Sequence, residues 1–219
     1  MIEAGRPPAR SWTAMVRRIY SDEELRERAV TAAEEILRRH GPQKTRLVDV
    51  ARAIKVSHSV LYRVFPDREA LMDAVSARWL DCIDVELARI AEGNTAPDLR
   101  LRDWFRHLHH VKTVKIARDP ELYANYDIAA ARTSPTVCGH LGVIRAQVGA
   151  MIAAGIDAGL FPEVDLDLTV DMFFNATMAF HHPRLVAEEG ARERMPELDR
   201  ILDLLLDGLK AQRRAAAAE

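Results

Sequence analysis

The stretch Thr45–Arg68, TRLVDVARAIKVSHSVLYRVFPDR, restricts the fold more than any other part of the chain. It reads as two short helices joined by a tight turn. Thr45 is an N-cap residue type whose hydroxyl can accept from an otherwise orphan backbone N–H. After it, Leu47, Val50, Ala51 and Ile54 recur at helical spacing. Ser57 opens a second helix, with Val56 just before it and Leu61 four residues in, the arrangement of a hydrophobic staple. Val60, Leu61, Val64 and Phe65 can fill its inner side. Pro66 stops it, because proline lacks an N–H and disfavours helical geometry at the preceding residue. The remaining face is His58, Ser59, Tyr62 and Arg63, which suits a groove of phosphates and base edges and suits a core badly. An ordinary helical hairpin with one solvated face has the same spacing.

The segment VSHSVLYRVFPDREAL resembles the DNA-binding signature of the TetR family of transcriptional regulators. In that family a Gly-Val-Ser turn leads into a small recognition helix ending in Leu-Tyr-x-x-Phe, and a basic residue opens the next helix. The resemblance runs from Ser21 to Val75. It implies a homodimer that binds double-stranded operator DNA and responds to a small-molecule effector. Ser57, His58, Ser59 and Tyr62 would then face the groove, and Thr45, Lys55, Arg63 and Arg68 would supply or border backbone contacts. Two positions depart from the pattern. Lys55 replaces the turn glycine, and a left-handed backbone there costs a non-glycine residue about 1 kcal/mol while adding a cation. Val64 stands where the family often carries His or Tyr beside the phosphates, which removes one backbone contact.

The 219 residues are 48% hydrophobic and 29% charged with ten glycines, which fits an all-α protein and leaves little room for Gly-rich phosphate loops. No apolar run approaches the roughly 18 residues of a membrane span, and the N-terminus has no continuous apolar segment like that of a signal peptide, so the expected location is cytoplasmic. Cys82 and Cys138 lack Cys-x-x-Cys spacing. They are expected to be small buried hydrophobes, with redox sensing as the alternative. The formal net charge of −2 is unevenly distributed. Residues 1–70 carry 14 Lys or Arg against 10 Asp or Glu, and the rest of the chain carries 17 against 23. One end is suited to phosphate and the other is not.

The expected layout is a basic arm over 1–20, a three-helix domain with the helix-turn-helix over 21–66, and a helical ligand-binding and dimerisation domain over 67–219 that opens with a long connecting helix. The arm reads most simply as a disordered solvated tail; contact with phosphates or a minor groove is the other reading. Ser21 and Glu24 form a capping box before an apolar stripe that Gly41-Pro42 ends. Asp67 can cap the long helix that continues to Gly93. By the family resemblance, Arg68 in its first turn would hold a phosphate. Further helices follow from Asp98, after Asp119-Pro120, from Ser134-Pro135 towards Gly159, from Asp165 or Asp167 to Pro183, and through Leu198–Leu209.

The last two helices are apolar around more of their circumference than one neighbour covers, so they need a thick core or a second subunit. By the resemblance they pair with a second copy in a four-helix bundle. In the middle helices, polar groups lie among apolar ones, as in a small-molecule site: His107, His110, Tyr123, Asn125, Tyr126, His140, Asn175, His181 and His182, with Phe174 and Met178 as apolar neighbours. No cofactor is implied. His107, His109, His110, His181 and His182 leave a metal-responsive regulator open. A helical-bundle enzyme is a further alternative, although no Glu-x-x-His pair, nucleophile elbow or phosphate loop supports it. So is an interaction module that no longer binds DNA.

Overall fold

The computed structural model describes residues 20–190 and 192–216, so residues 1–19 of the expected arm lie outside the described residues. Among the described residues the chain forms ten α-helices and no strand. They are α1 (Asp22–His40), α2 (Leu47–Ala53), α3 (His58–Leu61), α4 (Arg68–Ala91), α5 (Pro97–Arg118), α6 (Pro120–Ala131), α7 (Pro135–Asp157), α8 (Leu166–Ala176), α9 (Pro183–Glu189) and α10 (Met195–Ala216). The chain divides between Val75 and Ser76 into two compact units.

In the first unit α1 packs on α2 and α2 on α3. The capping box forms: the Glu24 N–H donates to Ser21 Oγ (3.1 Å) and the Ser21 N–H to Glu24 Oε2 (2.7 Å). The inner faces expected of α2 and α3 are buried, Leu47, Val50, Ala51 and Ile54 against Val60, Leu61, Val64 and Phe65. Thr45 is not an N-cap. Arg46 occupies that position, and Thr45 is fully buried with its hydroxyl donating back to the Gly41 carbonyl (3.0 Å). A short 3-10 turn at Pro42–Lys44 accounts for the difference, since it shifts the start of α2 by one residue. Ser57 is the N-cap of α3, but its hydroxyl pairs with that of Ser59 (3.0 Å) rather than with the backbone. Lys55 adopts the left-handed backbone, with φ of 59°.

The second unit is a bundle in which α5 and α7 pack together, α8 lies on α7, and α10 lies on α5. Asp165, not Asp167, caps α8, accepting from the Leu168 N–H (3.0 Å). The helix expected to run to Pro183 breaks after Ala176. There the Thr177 hydroxyl donates to the Phe173 carbonyl (2.7 Å), a 3-10 turn covers Met178–Phe180, and Pro183 starts α9. At the end of α7, Gly155 lies against Phe161; a Cβ there would come within 2.2 Å of the ring.

The structure corrects two further expectations. Cys82 and Cys138 are both exposed. By length and composition alone, α7 is long and apolar enough to cross a membrane. Its residues Val137, Ile144, Val148, Met151 and Ile152 are buried within this unit.

The Lys55 side chain is exposed, so its backbone strain is separable from packing. Lys55→Gly is expected to raise stability by about 1 kcal/mol, read as a higher urea midpoint at unchanged slope.

Candidate functional sites

Two arrangements in the structure are suited to binding, one in each unit. In the first unit, His58, Ser59 and Tyr62 are exposed on α3 and its C-cap, and Tyr62 is 45% exposed although every inner neighbour is buried. The His58 and Tyr62 rings meet edge to face, with centroids 4.5 Å apart. This stacking presents an imidazole and a phenol together, beside the hydroxyl pair of Ser57 and Ser59. Lys55 is exposed at the turn just before them.

The remaining three residues nominated for DNA are engaged inside the unit. Arg68 Nε donates to the Thr45 carbonyl (2.9 Å) and its Nη2 to the Pro42 carbonyl, so the guanidinium ties the start of α4 to the loop before α2. Arg63 Nη2 lies 2.7 Å from Asp22 Oδ1 as an ion pair, although its Nε, Nη1 and Nη2 are buried with no hydrogen-bond partner among the described residues. The Thr45 side chain, buried and bonded, offers nothing to solvent. Arg26, which the sequence did not single out, donates from Nη1 to the Val64 carbonyl (2.5 Å) and lies over the Phe65 ring at 4.6 Å.

In the second unit, a cavity of about 290 Å³ opens among α5, α6, α7, α8 and the turn before α9. Of the nominated residues, Tyr126, His140, Phe174, Asn175, Met178 and His181 line it, as does His182. Tyr123 does not; it is buried, with its hydroxyl donating to the Pro183 carbonyl (3.0 Å). His107 and His110 line a separate, open depression with Arg89 and Asp103, and His107 Nε2 lies 2.9 Å from Glu86 Oε2. Asn125 is buried and donates to Ser76 Oγ (2.9 Å).

The electrostatics of the cavity centre on a residue that sequence reading missed. Lys112 is 1% exposed, lines the cavity, donates to the Tyr126 hydroxyl (3.0 Å) and lies 4.3 Å from the centroid of the Tyr126 ring. Burial pulls its pKa from 10.5 down to about 7, opposed by the charge of Asp84. Tyr126 is shifted up, by burial first and then by the charges of Asp127 and Asp84. Opposite, His140 Nδ1 is 2.6 Å from Asp84 Oδ1, and Nε2 is buried with no hydrogen-bond partner among the described residues. Burial holds His140 below its usual pKa despite that carboxylate. His181 Nε2 donates to the Phe174 carbonyl (3.1 Å), and desolvation takes its pKa down to about 4. Burial thus favours the neutral form of both rings, and a neutral imidazole whose one N–H is engaged has only a lone pair to offer.

The signal for Lys112 was in the sequence. It continues the stripe Leu101, Trp104, Phe105, Leu108 at helical spacing, where a hydrophobe is expected. His140 between Val137 and Ile144, and Asp84 between Leu80 and Leu87, sit on apolar stripes in the same way. The histidines do not converge on a metal: His109 Nδ1 donates to the Phe180 carbonyl (3.0 Å), His110 is exposed, and no group of three ligating residues among the described residues could hold an ion.

Lys112 gives a pH dependence of definite sign. Its folded pKa of about 7 lies below its ordinary 10.5, so between these values the unfolded chain binds more protons. Its contribution therefore rises with pH across that window and is lost as pH falls to 7 and below. Lys112→Met is expected to remove a rise in stability of up to about 1.4 kcal/mol per pH unit, seen by comparing urea unfolding of the two proteins at pH 7 and pH 9.

Comparison with known proteins gives matches in both units. Residues 29–75 match the model for bacterial regulatory proteins of the tetR family, and residues 97–202 match that for the tetracyclin repressor-like C-terminal domain. The HTH-type transcriptional regulator HbdR of Aromatoleum sp. (strain CIB) is 32% identical over 79 residues, 36% of this chain; the match spans about a third (34%) of that curated relative. The fold is similar to that of RolR in complex with resorcinol, with a TM-score of 0.59 and 18% identity over 90% of this chain and 95% of that one. It is similar also to Thermus thermophilus FadR in complex with lauroyl-CoA, with a TM-score of 0.63 and 22% identity over 84% and 94%. A TetR/AcrR-family regulator from Thermobifida fusca YX-ER1 gives a TM-score of 0.63 and 20% identity over 84% and 97%. The chain thus belongs to the TetR family of transcriptional regulators, and is a regulator rather than an enzyme.

Proposed function

We propose that this chain is a cytoplasmic homodimeric repressor that binds a palindromic operator and releases it when a small molecule occupies the cavity of the second unit. The observation that carries this reading is the exposed His58, Ser59 and Tyr62 face on a helix whose opposite side is fully buried, within a match to the family's DNA-binding model. Ser57, His58, Ser59 and Tyr62 read the groove in this scheme, and Lys55 supplies a phosphate contact. Arg63, Arg68 and Thr45 hold the reading head in shape.

Support for a second copy comes from α8 and α10. Leu168, Met172 and Leu204 are 58%, 53% and 73% exposed around one shallow depression. Apolar side chains gathered there are suited to another apolar surface, and two reading heads a DNA turn apart, or a multiple of it, recognise a palindrome.

The effector reading rests on the cavity and on α4. His140 lines the cavity and bonds Asp84 on α4, and the same helix begins at Arg68, which holds the Pro42–Thr45 loop. A ligand that favours one position of α4 shifts the population of competent heads, and by linkage DNA weakens that ligand by the same factor. A tenfold effect needs only about 1.4 kcal/mol. The neighbouring folds hold ligands as different as resorcinol and lauroyl-CoA, so a scaffold of this kind accepts varied effectors.

Fluorescence anisotropy with a duplex of the upstream intergenic sequence tests the DNA reading. Tyr62→Ala and His58→Ala are each expected to weaken binding by about tenfold at constant salt without altering the circular dichroism. Wild-type affinity in both variants would sink it. Leu204→Glu combined with Met172→Glu is expected to give a monomer by light scattering; an unchanged dimer mass would place the interface elsewhere.

A further inference from the structure

The lining of the cavity is chemically one-sided. It contains Lys112 and Arg145 but no aspartate or glutamate. The charge of Arg145 is matched by Asp171, 2.6 Å from its Nη2. Lys112 has no bonded match: Asp84 acts on it only at a distance and is itself bonded to His140, the Lys112 hydrogen bond goes to a phenol, and an ammonium has three donors, so two remain. A buried amine with no carboxylate bonded to it is an unfavourable arrangement that an anionic ligand relieves.

The second polar group adds a second requirement. His140 Nδ1 faces a carboxylate and therefore carries the proton, which leaves Nε2 as a buried acceptor without a partner. Leaving such a group unmatched has a cost that a ligand hydroxyl removes. The remaining walls are mostly flat or apolar, with the Tyr126, Phe174 and His181 rings and the Leu108 and Ile144 side chains, while Asn175 and His182 add polar groups at the α8 end. The volume lies at the small end of ligand sites.

Resting on the reading of this cavity as the effector site, we propose that its ligand is a compact hydroxylated aromatic acid. Its carboxylate accepts from Lys112 and its hydroxyl donates to His140 Nε2. Cations are repelled, neutral alcohols leave Lys112 unmatched, and acids without a hydroxyl leave His140 unmatched.

Isothermal titration of the full chain at pH 7 with ortho-, meta- and para-hydroxybenzoate, the matching hydroxybenzamides and benzoate provides the test. At least one hydroxybenzoate is expected to bind about tenfold more tightly than both its amide and benzoate. Lys112→Met is expected to erase the preference for acid over amide. His140→Phe is expected to erase the preference for hydroxybenzoate over benzoate while keeping acid over amide, a split that general disruption of the fold does not produce. Equal affinity for acid and amide in the wild-type chain overturns the proposal, as does failure of all three hydroxybenzoates to bind. Release of the duplex is measured separately by anisotropy. A hydroxybenzoate that shows the expected preferences and leaves DNA bound supports this ligand class and removes the effector reading. A neutral compound that binds equally well and releases DNA does the reverse.

Discussion

A four-residue helix has no stability of its own. Isolated helices shorter than about 12–15 residues are marginal in water, and α3 spans only His58–Leu61. Its position is set by burial of Val60, Leu61, Val64 and Phe65 and by three guanidinium groups that tie neighbouring segments together. Arg26 holds the Val64 carbonyl, Arg63 meets Asp22 at the start of α1, and Arg68 holds the loop before α2. Arginines in this stretch invite reading as phosphate ligands, but here they brace the fold, and the groups left facing solvent are mostly uncharged. Lys55, accepted at a strained backbone position, is the cation among the nominated residues that stays exposed.

The second unit follows the same logic with different groups. Its polar residues are buried in pairs that join helices: Asp84 with His140 links α4 to α7, Ser76 with Asn125 links α4 to α6, and Lys112 with Tyr126 links α5 to α6. Each pair fixes which helix faces meet, because a slipped register would strand a buried polar group. Two of the pairs are incomplete at the cavity, Lys112 for want of an anion and His140 for want of a donor. The energetic cost of these gaps is what a matching ligand recovers as affinity.

Much of this was legible in the sequence. The capping box at Ser21, the caps at Asp67 and Ser134, and the apolar faces of α2 and α3 follow from local chemistry that operates within one turn. The left-handed turn at Lys55 followed from the resemblance, through the glycine it replaces. What local reading missed has both near and distant causes. Thr45 looks like a cap until the adjacent 3-10 turn shifts the start of α2, whereas the two carbonyls that hold Arg68 lie more than 20 residues upstream. The cavity was half legible. Polar residues in apolar helices were picked out, but Lys112 and Asp84 were not among them although both fall on apolar stripes.

Helix α7 lines the cavity, and the contact of Gly155 with Phe161 determines how that helix can change. The aromatic ring fills the space any side chain at this position would need, so substitution there must move a fully buried residue. Gly139 and Gly142, on the same helix, meet nothing within 4 Å of a built Cβ and are free to vary on steric grounds. Steric freedom along α7 is therefore uneven: its first turns can drift, and with them the rim of the cavity near Leu141, while its far end stays locked. A scaffold arranged in this way can acquire new ligand preferences without surrendering its packing.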